Sequence, residues 1–196
     1  MPDGSRVSEL RLAAAPPRSE GLRLLRSRIA DVVPGWQALA EDVLGADARI
    51  DLVGSEPNGG TVLVLVGEAG QDLELIGRGL AQHAWVTPRV ADWLQLAPDL
   101  PLRAEAGVRV VLLCPAFRPE AVAALGAMQQ PCPLLLGTLR FLRNAAGVEP
   151  LIEPLERVAA PTETQDVRRL VAIAPFRTGL TDDDLALSSE EHAEFE

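Results

Sequence analysis

Residues 48–86, which read ARIDLVGSEPNGGTVLVLVGEAGQDLELIGRGLAQHAWV, decide the fold of this chain. Two short β-forming runs, residues 49–54 and 61–66, flank a segment that contains Asn58 and Gly59. Asn-Gly between two apolar runs is among the strongest local signals for an antiparallel hairpin. Residues 72–86 then show the apolar spacing of a helix. The stretch therefore predicts a β-hairpin followed by a helix.

The rest of the chain predicts further helices and strands on both sides of this stretch. Helices are expected at residues 20–33, 36–44, 87–96 and 119–128, and strands at residues 108–114, 134–143 and 148–155. This order predicts an α/β domain over residues 21–158, with a mixed sheet flanked by helices. Residues 1–20 are expected to be a flexible segment, and residues 159–196 a linker and an acidic tail.

The same stretch resembles the core of the PD-(D/E)XK, or restriction-endonuclease-like, nuclease superfamily, and the similarity extends over about residues 36–155. In active members of that family an Asp ends one strand, a Glu-x-Lys ends the next, and a helix follows. Asp51 matches the motif Asp, whereas the Glu-x-Lys register falls on Leu65 and Gly67. On the helix, where related families carry a Gln and a Tyr, the alignment gives Arg78 and Gln82. The resemblance implies a restriction-endonuclease-like core with a degenerate motif.

The positions that depart from the family motif are those that would carry its chemistry. Active members use acidic side chains to hold Mg²⁺, which polarises the phosphate, and a lysine to assist the attacking water. All 18 basic side chains of this chain are arginine, and neither Leu65 nor Gly67 can bind a cation or move a proton. No catalytic residue, metal ligand or cofactor is therefore expected.

Two acidic residues keep positions that the family uses. The resemblance places Glu41 on a first helix and Asp51 on a strand, and such a pair of carboxylates is a weak candidate site for a divalent ion such as Mg²⁺. The ordinary interpretations are an exposed helix residue for Glu41 and a carboxylate satisfied by backbone N–H groups for Asp51. Only four residues separate Leu44 from Arg49, so the strand that normally precedes the motif Asp is expected to be shortened or lost.

Charge and hydropathy bear on the partners of the chain. The net charge is −10, but the last 16 residues carry seven carboxylates and no arginine. The remainder is not basic either, which disfavours a nucleic-acid backbone as partner.

No apolar run approaches the roughly 20 residues of a membrane span, and the start lacks the apolar segment of a secretory signal, so a soluble, cytoplasmic protein is expected. Residues 181–196 are expected to be mobile or docked on a neighbouring chain, as a solubilising terminus or a docking segment.

Two functions from different classes are compatible with these observations. The first is a catalytically inactive nuclease-fold module, a pseudo-nuclease that binds a protein partner or a second copy of itself. The second is a diverged Mg²⁺-dependent nuclease with a migrated acidic site, built from Glu41, Asp51 and either Glu68 or Glu74, with Arg78 in place of the lysine. The absent lysine favours the first, because an arginine stays protonated and is a poor general base.

Overall fold

The computed structural model describes residues 11–126, 128 and 133–155, which belong to one compact unit spanning residues 1–160. The expectations for the acidic tail and for residues 181–196 lie outside the described residues. The strands are β1 (Arg11–Ala13), β2 (Gln37–Leu44), β3 (Arg49–Ser55), β4 (Thr61–Val66), β5 (Val108–Cys114), β6 (Leu134–Asn144) and β7 (Gly147–Pro154). The α-helices are α1 (Arg18–Arg26), α2 (Asp72–Val86), α3 (Val90–Leu96) and α4 (Pro119–Gly126), with 3₁₀ turns at Ile29–Asp31, Thr87–Arg89 and Ala104–Ala106.

The strands form one mixed sheet in the order β1-β6-β5-β4-β3-β2, and β7 pairs with β6. Strands β2, β3 and β4 are antiparallel neighbours, whereas β4, β5 and β6 run parallel. Helix α2 makes the crossover from β4 towards β5, as a parallel pair requires. The prediction of a mixed sheet flanked by helices is confirmed.

The hairpin of β3 and β4 is confirmed in its pairing and its turn. Its register runs from Leu52 opposite Val64 to Ser55 opposite Thr61. At the turn, the Asn58 side chain accepts the N–H of Gly60 at 2.8 Å, and Gly59 has a φ of 86° that favours glycine. The local turn chemistry therefore sets the register on which the site depends.

Two apolar layers cover the sheet, one on each face. On the α2 side the buried side chains include Leu63, Leu65, Leu75 and Leu112. On the α1 side they include Leu22, Leu25, Leu52, Val64 and Leu113. Consecutive residues of β4 alternate between the layers, as the period of two demands. The face to which a β4 side chain points therefore decides which helix it meets.

The helix predicted at residues 36–44 is wrong, because these residues form strand β2. They pair antiparallel with β3 from Gln37 opposite Ser55 to Leu44 opposite Arg49, with a bulge between Ala38 and Ala40. The prediction that the strand before the motif Asp is shortened or lost is wrong for the same reason. Ala, Leu and Glu have good helix propensity, but differences of a few tenths of a kcal/mol per residue are readily overridden by tertiary context.

The N-terminal limit of the domain lies earlier than residue 21. Strand β1 pairs with β6, with Arg11 opposite Arg143 and Ala13 opposite Phe141. Pro17, in an extended conformation, leads directly into α1. Residues 11–20 therefore belong to the folded unit. Within the described residues, no helix is long and apolar enough to cross a membrane.

Candidate functional site

Asp51, the residue at the motif Asp position, is completely buried on β3. Its Oδ2 accepts the backbone N–H of Val66 at 2.8 Å, and its Oδ1 accepts a terminal N–H of Arg18, which begins α1. The backbone pairing of β3 with β4 starts one residue later, at Leu52 and Val64. The Asp51 carboxylate thus supplies the partner that the end of β4 would otherwise lack.

Burial raises the pKa of the Asp51 carboxyl above its ordinary value of 3.8, while the Val66 N–H and the positive charges of Arg18 and Arg78 oppose this rise. Arg78 comes from α2, so the two arginines belong to helices that cover opposite faces of the sheet. The Nε of Arg78 is buried and has no hydrogen-bond partner among the described residues. Asp51 therefore sits in a site whose cations are two guanidinium groups of the protein itself.

Leu65 and Gly67, which occupy the Glu-x-Lys register, face α2. Leu65 is completely buried in the α2-side layer. A Cβ added to Gly67 would come within 2.9 Å of the Leu75 side chain of α2. Asp51, in contrast, contacts Arg18 of α1. Leu65 therefore belongs to the α2-side layer, whereas Gly67 follows Val66 and lines the same cavity as Arg18.

Gln82 serves the packing of the loop between β2 and β3. Its Oε1 accepts the N–H of Ala46 at 3.1 Å, and its Nε2 donates to the carbonyl of Ala48 at 2.9 Å. Any side chain at Gly45 would collide with this amide, since an added Cβ would lie 1.9 Å from Oε1. Gln82 is therefore buried as a clamp on the main chain, away from solvent.

Glu41 lies on strand β2, not on a helix, which corrects the expected placement. Its carboxylate pairs with Arg26 at 3.1 Å, and its side chain is 41% exposed. Arg18 and Arg26 are two helical turns apart on α1, or roughly 12 Å along the helix axis. Glu41 lies opposite Leu52, next to Asp51, and the two carboxylates pair with different arginines of α1.

The acidic residues near Asp51 form no recognisable metal-ligand group within the described part of the chain. Both oxygens of Asp51 already accept hydrogen bonds, and the described part of the chain contains no group of three or more His, Cys, Asp or Glu residues that could hold a metal. Glu68 follows β4 and is exposed, and Glu74 is exposed in the first turn of α2. Mg²⁺ in proteins keeps several waters and is often bound through one or two carboxylates, and the Asp51 carboxylate is engaged by Arg18 and Val66.

A cavity of about 610 Å³ lies beside Arg18, at the carboxyl ends of β4 and β5. Its lining comes from β1, α1, β6, the residues after β4 and Pro115 after β5, and it is mostly apolar. The polar side chains that line it are Arg18, Glu68 and Arg140. The carboxyl ends of parallel strands are the usual place for ligands in open α/β sheets.

The sequence did not predict two ion pairs of this region. Arg18 pairs with a carboxylate 33 residues away. Asp72, at the start of α2, binds Arg118 across 46 residues, through the Arg118 backbone N–H at 2.7 Å and its guanidinium at 2.8 Å. An acidic residue in the first turn of a helix is a recognisable local signal, but no local pattern indicates its arginine partner.

No protein-family model and no curated protein matches the sequence. Three solved structures are similar over part of the chain. A repair endonuclease from Pyrococcus abyssi is 11% identical, with a TM-score of 0.37, over 59% of this chain and 45% of that one. EndoMS in a complex with dsDNA is 17% identical, with a TM-score of 0.34, over 59% and 42%. SfsA from Pyrococcus furiosus in complex with Ca²⁺ is 9% identical, with a TM-score of 0.37, over 70% and 62%.

The chain spans less than two thirds of the length of each of these three proteins.

Proposed function

We propose that this chain is a nuclease-fold module that does not cleave nucleic acid and that acts by binding a protein partner or a second copy of itself. The observation that carries the proposal is the state of Asp51, which is buried and already bound by Arg18 and the Val66 N–H. A carboxylate engaged in this way has little capacity left for a metal ion. The chain also has no lysine to assist an attacking water.

The surface supports a protein partner more than a nucleic-acid partner. Leu12 and Leu96 are 74% and 85% exposed and offer apolar side chains to a partner. The net charge of −10 opposes the phosphate backbone of DNA or RNA. Protein association buries apolar surface and does not require a positive face.

A metal-dependent nuclease with a migrated site is the alternative function. Arg78 is close enough to lower the pKa of Asp51, and Glu68 lines the same cavity as Arg18. This arrangement would require Arg18 to release Asp51 when nucleic acid and Mg²⁺ bind. Arg78 could then stabilise developing negative charge, although it could not act as a base.

A cleavage assay separates the two functions. Purified protein is incubated with single- and double-stranded DNA and RNA in Mg²⁺ or Mn²⁺, and the Asp51→Ala variant is assayed in parallel, with folding checked by circular dichroism. We expect no cleavage by either protein. Cleavage by the native chain that is lost in a folded Asp51→Ala variant would contradict the proposal and support the migrated site.

The proposed binding of a second copy is tested by sedimentation velocity across a concentration series. Self-association that weakens in Leu12→Ser or Leu96→Ser, but not in Arg109→Ser as an exposed polar control, supports a second copy as partner. If the chain stays monomeric at all concentrations, self-association is excluded and a different protein is the only partner left in the proposal.

A further inference from the structure

The cavity beside Arg18 has the size of a ligand site and opens to solvent. Ligand sites typically occupy about 300–1,000 Å³, and this cavity measures about 610 Å³. Its position at the carboxyl ends of β4 and β5 is the position where α/β sheets bind ligands.

The walls of the cavity suit a hydrocarbon body. Leu22 and Leu25 of α1 line one side, and Leu139 and Phe141 of β6 line the other. Leu22, Leu25 and Leu139 also belong to the buried α1-side layer, so their positions are set by the core. A ligand body placed here would contact preformed apolar walls, which reduces the cost of ordering on binding.

The polar lining suits one negative charge. Arg18 is held by the buried Asp51 through one terminal nitrogen, while its side chain remains 59% exposed. A guanidinium has five N–H donors in a fixed fork that matches a carboxylate, so donors remain for a ligand. Arg140 forms an ion pair with Glu153 at 3.6 Å, so its charge is balanced within the protein. Arg18 is therefore the cation left for a ligand, and because Asp51 and Glu68 are nearby, a monoanion fits better than a dianionic phosphate.

We propose that this cavity binds a small amphipathic carboxylate, with its hydrocarbon body between α1 and β6 and its carboxylate on Arg18. This inference goes beyond the proposed function and holds whether or not the chain has a protein partner. Asp51 acts here as a positioning residue, because it fixes the guanidinium that meets the ligand.

Decanoate, used below its micelle concentration, is the probe, and binding to the full chain is measured by calorimetry and by thermal shift. The central variant is Gly21→Leu. A Cβ at Gly21 would lie 3.7 Å from both Phe141 and Pro16, an ordinary contact, and Gly21 lines the cavity. The longer leucine side chain would therefore fill part of the cavity that the ligand would occupy. We expect decanoate affinity to fall at least about tenfold, with no loss of thermal stability, because a helix glycine is replaced.

Gly77→Leu is the matched control. Gly77 also lies inside a helix, is exposed, and has no atom within 4 Å of an added Cβ. The substitution is chemically the same but is remote from the cavity, so decanoate affinity should be unchanged. Binding that survives Gly21→Leu, or that is lost equally in Gly77→Leu, would overturn the proposal.

The headgroup is tested by comparing decanoate with decanol, which has the same chain and no charge. Arg18→Met is combined with Asp51→Asn, so that no buried carboxylate loses its partner. We expect decanoate to bind this double variant roughly ten- to hundredfold more weakly, and decanol to bind both proteins alike. Equal affinity of the native chain for decanoate and decanol, or no decanoate binding at all, would contradict the assignment.

Discussion

Asp51 and Asp72 are two buried aspartates that each hold an arginine, yet their carboxyl pKa values shift in opposite directions. Asp51 is completely buried and Asp72 is 1% exposed. The partner arginines are similar too, since the side chains of Arg18 and Arg118 are 59% and 53% exposed. Nevertheless the pKa of Asp51 is raised, whereas the hydrogen bonds from Arg118 lower the pKa of Asp72 to about 2.

Burial is the largest effect on the pKa of Asp51, whereas the hydrogen bonds from Arg118 are the largest effect on the pKa of Asp72. Asp72 accepts the Arg118 backbone N–H at 2.7 Å, its Nε at 2.9 Å and a terminal nitrogen at 2.8 Å. Asp72 also lies in the first turn of α2, where the helix dipole favours negative charge. Asp51 accepts one N–H from Val66 and one from Arg18. Burial is therefore offset at Asp72 and only partly offset at Asp51.

A third carboxylate, introduced without an arginine, should give the largest effect. In Leu65→Glu, the new side chain would enter the apolar layer beneath α2, where Leu65 is completely buried. We expect the free energy of unfolding to fall by roughly 3 kcal/mol or more, because an unpaired polar group is buried. Leu65→Met, a volume-conserving control, should cost less than about 1.5 kcal/mol. Urea denaturation measures both, and equal stability of the two variants would show that position 65 is not enclosed.

Removing the charge of Asp72 should give the next largest effect. Asp72→Asn keeps the shape of the side chain but loses the charge-assisted bonds that tie α2 to the segment before α4. We expect the melting temperature at pH 7 to fall by roughly 5–15 °C. A melting temperature within 1 °C of the native value, about the precision of the measurement, would show that Arg118 contributes nothing to stability.

The same substitution at Asp51 should have a much smaller effect. Burial disfavours the ionised form of Asp51, so Asp51→Asn removes an unfavourable charge together with one ion pair. The asparagine Oδ1 can still accept the Val66 N–H, and the exposed Arg18 can turn to solvent. We expect the free energy of unfolding at pH 7 to change by less than about 1 kcal/mol. A loss as large as that of Asp72→Asn would contradict the contrast between the two sites.

The pH dependence of the two variants should have opposite signs. Because the folded-state pKa of Asp51 is raised, its stabilising contribution is complete below 3.8 and is lost as the pH rises through the folded-state value. Because the pKa of Asp72 is lowered, its contribution is present above 3.8 and is lost as the pH falls towards about 2. With rising pH, the stability of Asp51→Asn should therefore increase relative to the native chain, and the stability of Asp72→Asn should decrease relative to it. Melting temperatures of each variant and the native chain are compared at matched pH values. If the difference from the native chain changes with pH in the same direction for both variants, the contrast between Asp51 and Asp72 is contradicted.

The sequence predicted the elements whose signals are local. The Asn58-Gly59 turn predicted the β3–β4 hairpin, and helical spacing predicted α2 with both of its limits. Strand β2 was not predictable in this way, because its residues favour a helix and only pairing with β3 makes them a strand. Asp51 lies on the predicted strand, but its partner Arg18 was not predicted. An ion pair over 33 residues depends on how α1 packs on the sheet, and this packing leaves no pattern along the chain.

The Gln82 clamp ties the outermost strand to the helical layer. The Gln82 amide accepts the N–H of Ala46 and donates to the carbonyl of Ala48. The end of β2 and the start of β3 are therefore both anchored to α2. Local unfolding of β2 must break both bonds or take α2 with it. The amide hydrogen of Ala46 should accordingly exchange with the same opening free energy as the middle of α2. A single side chain thus couples the loop beside the edge strand β2 to the helical layer.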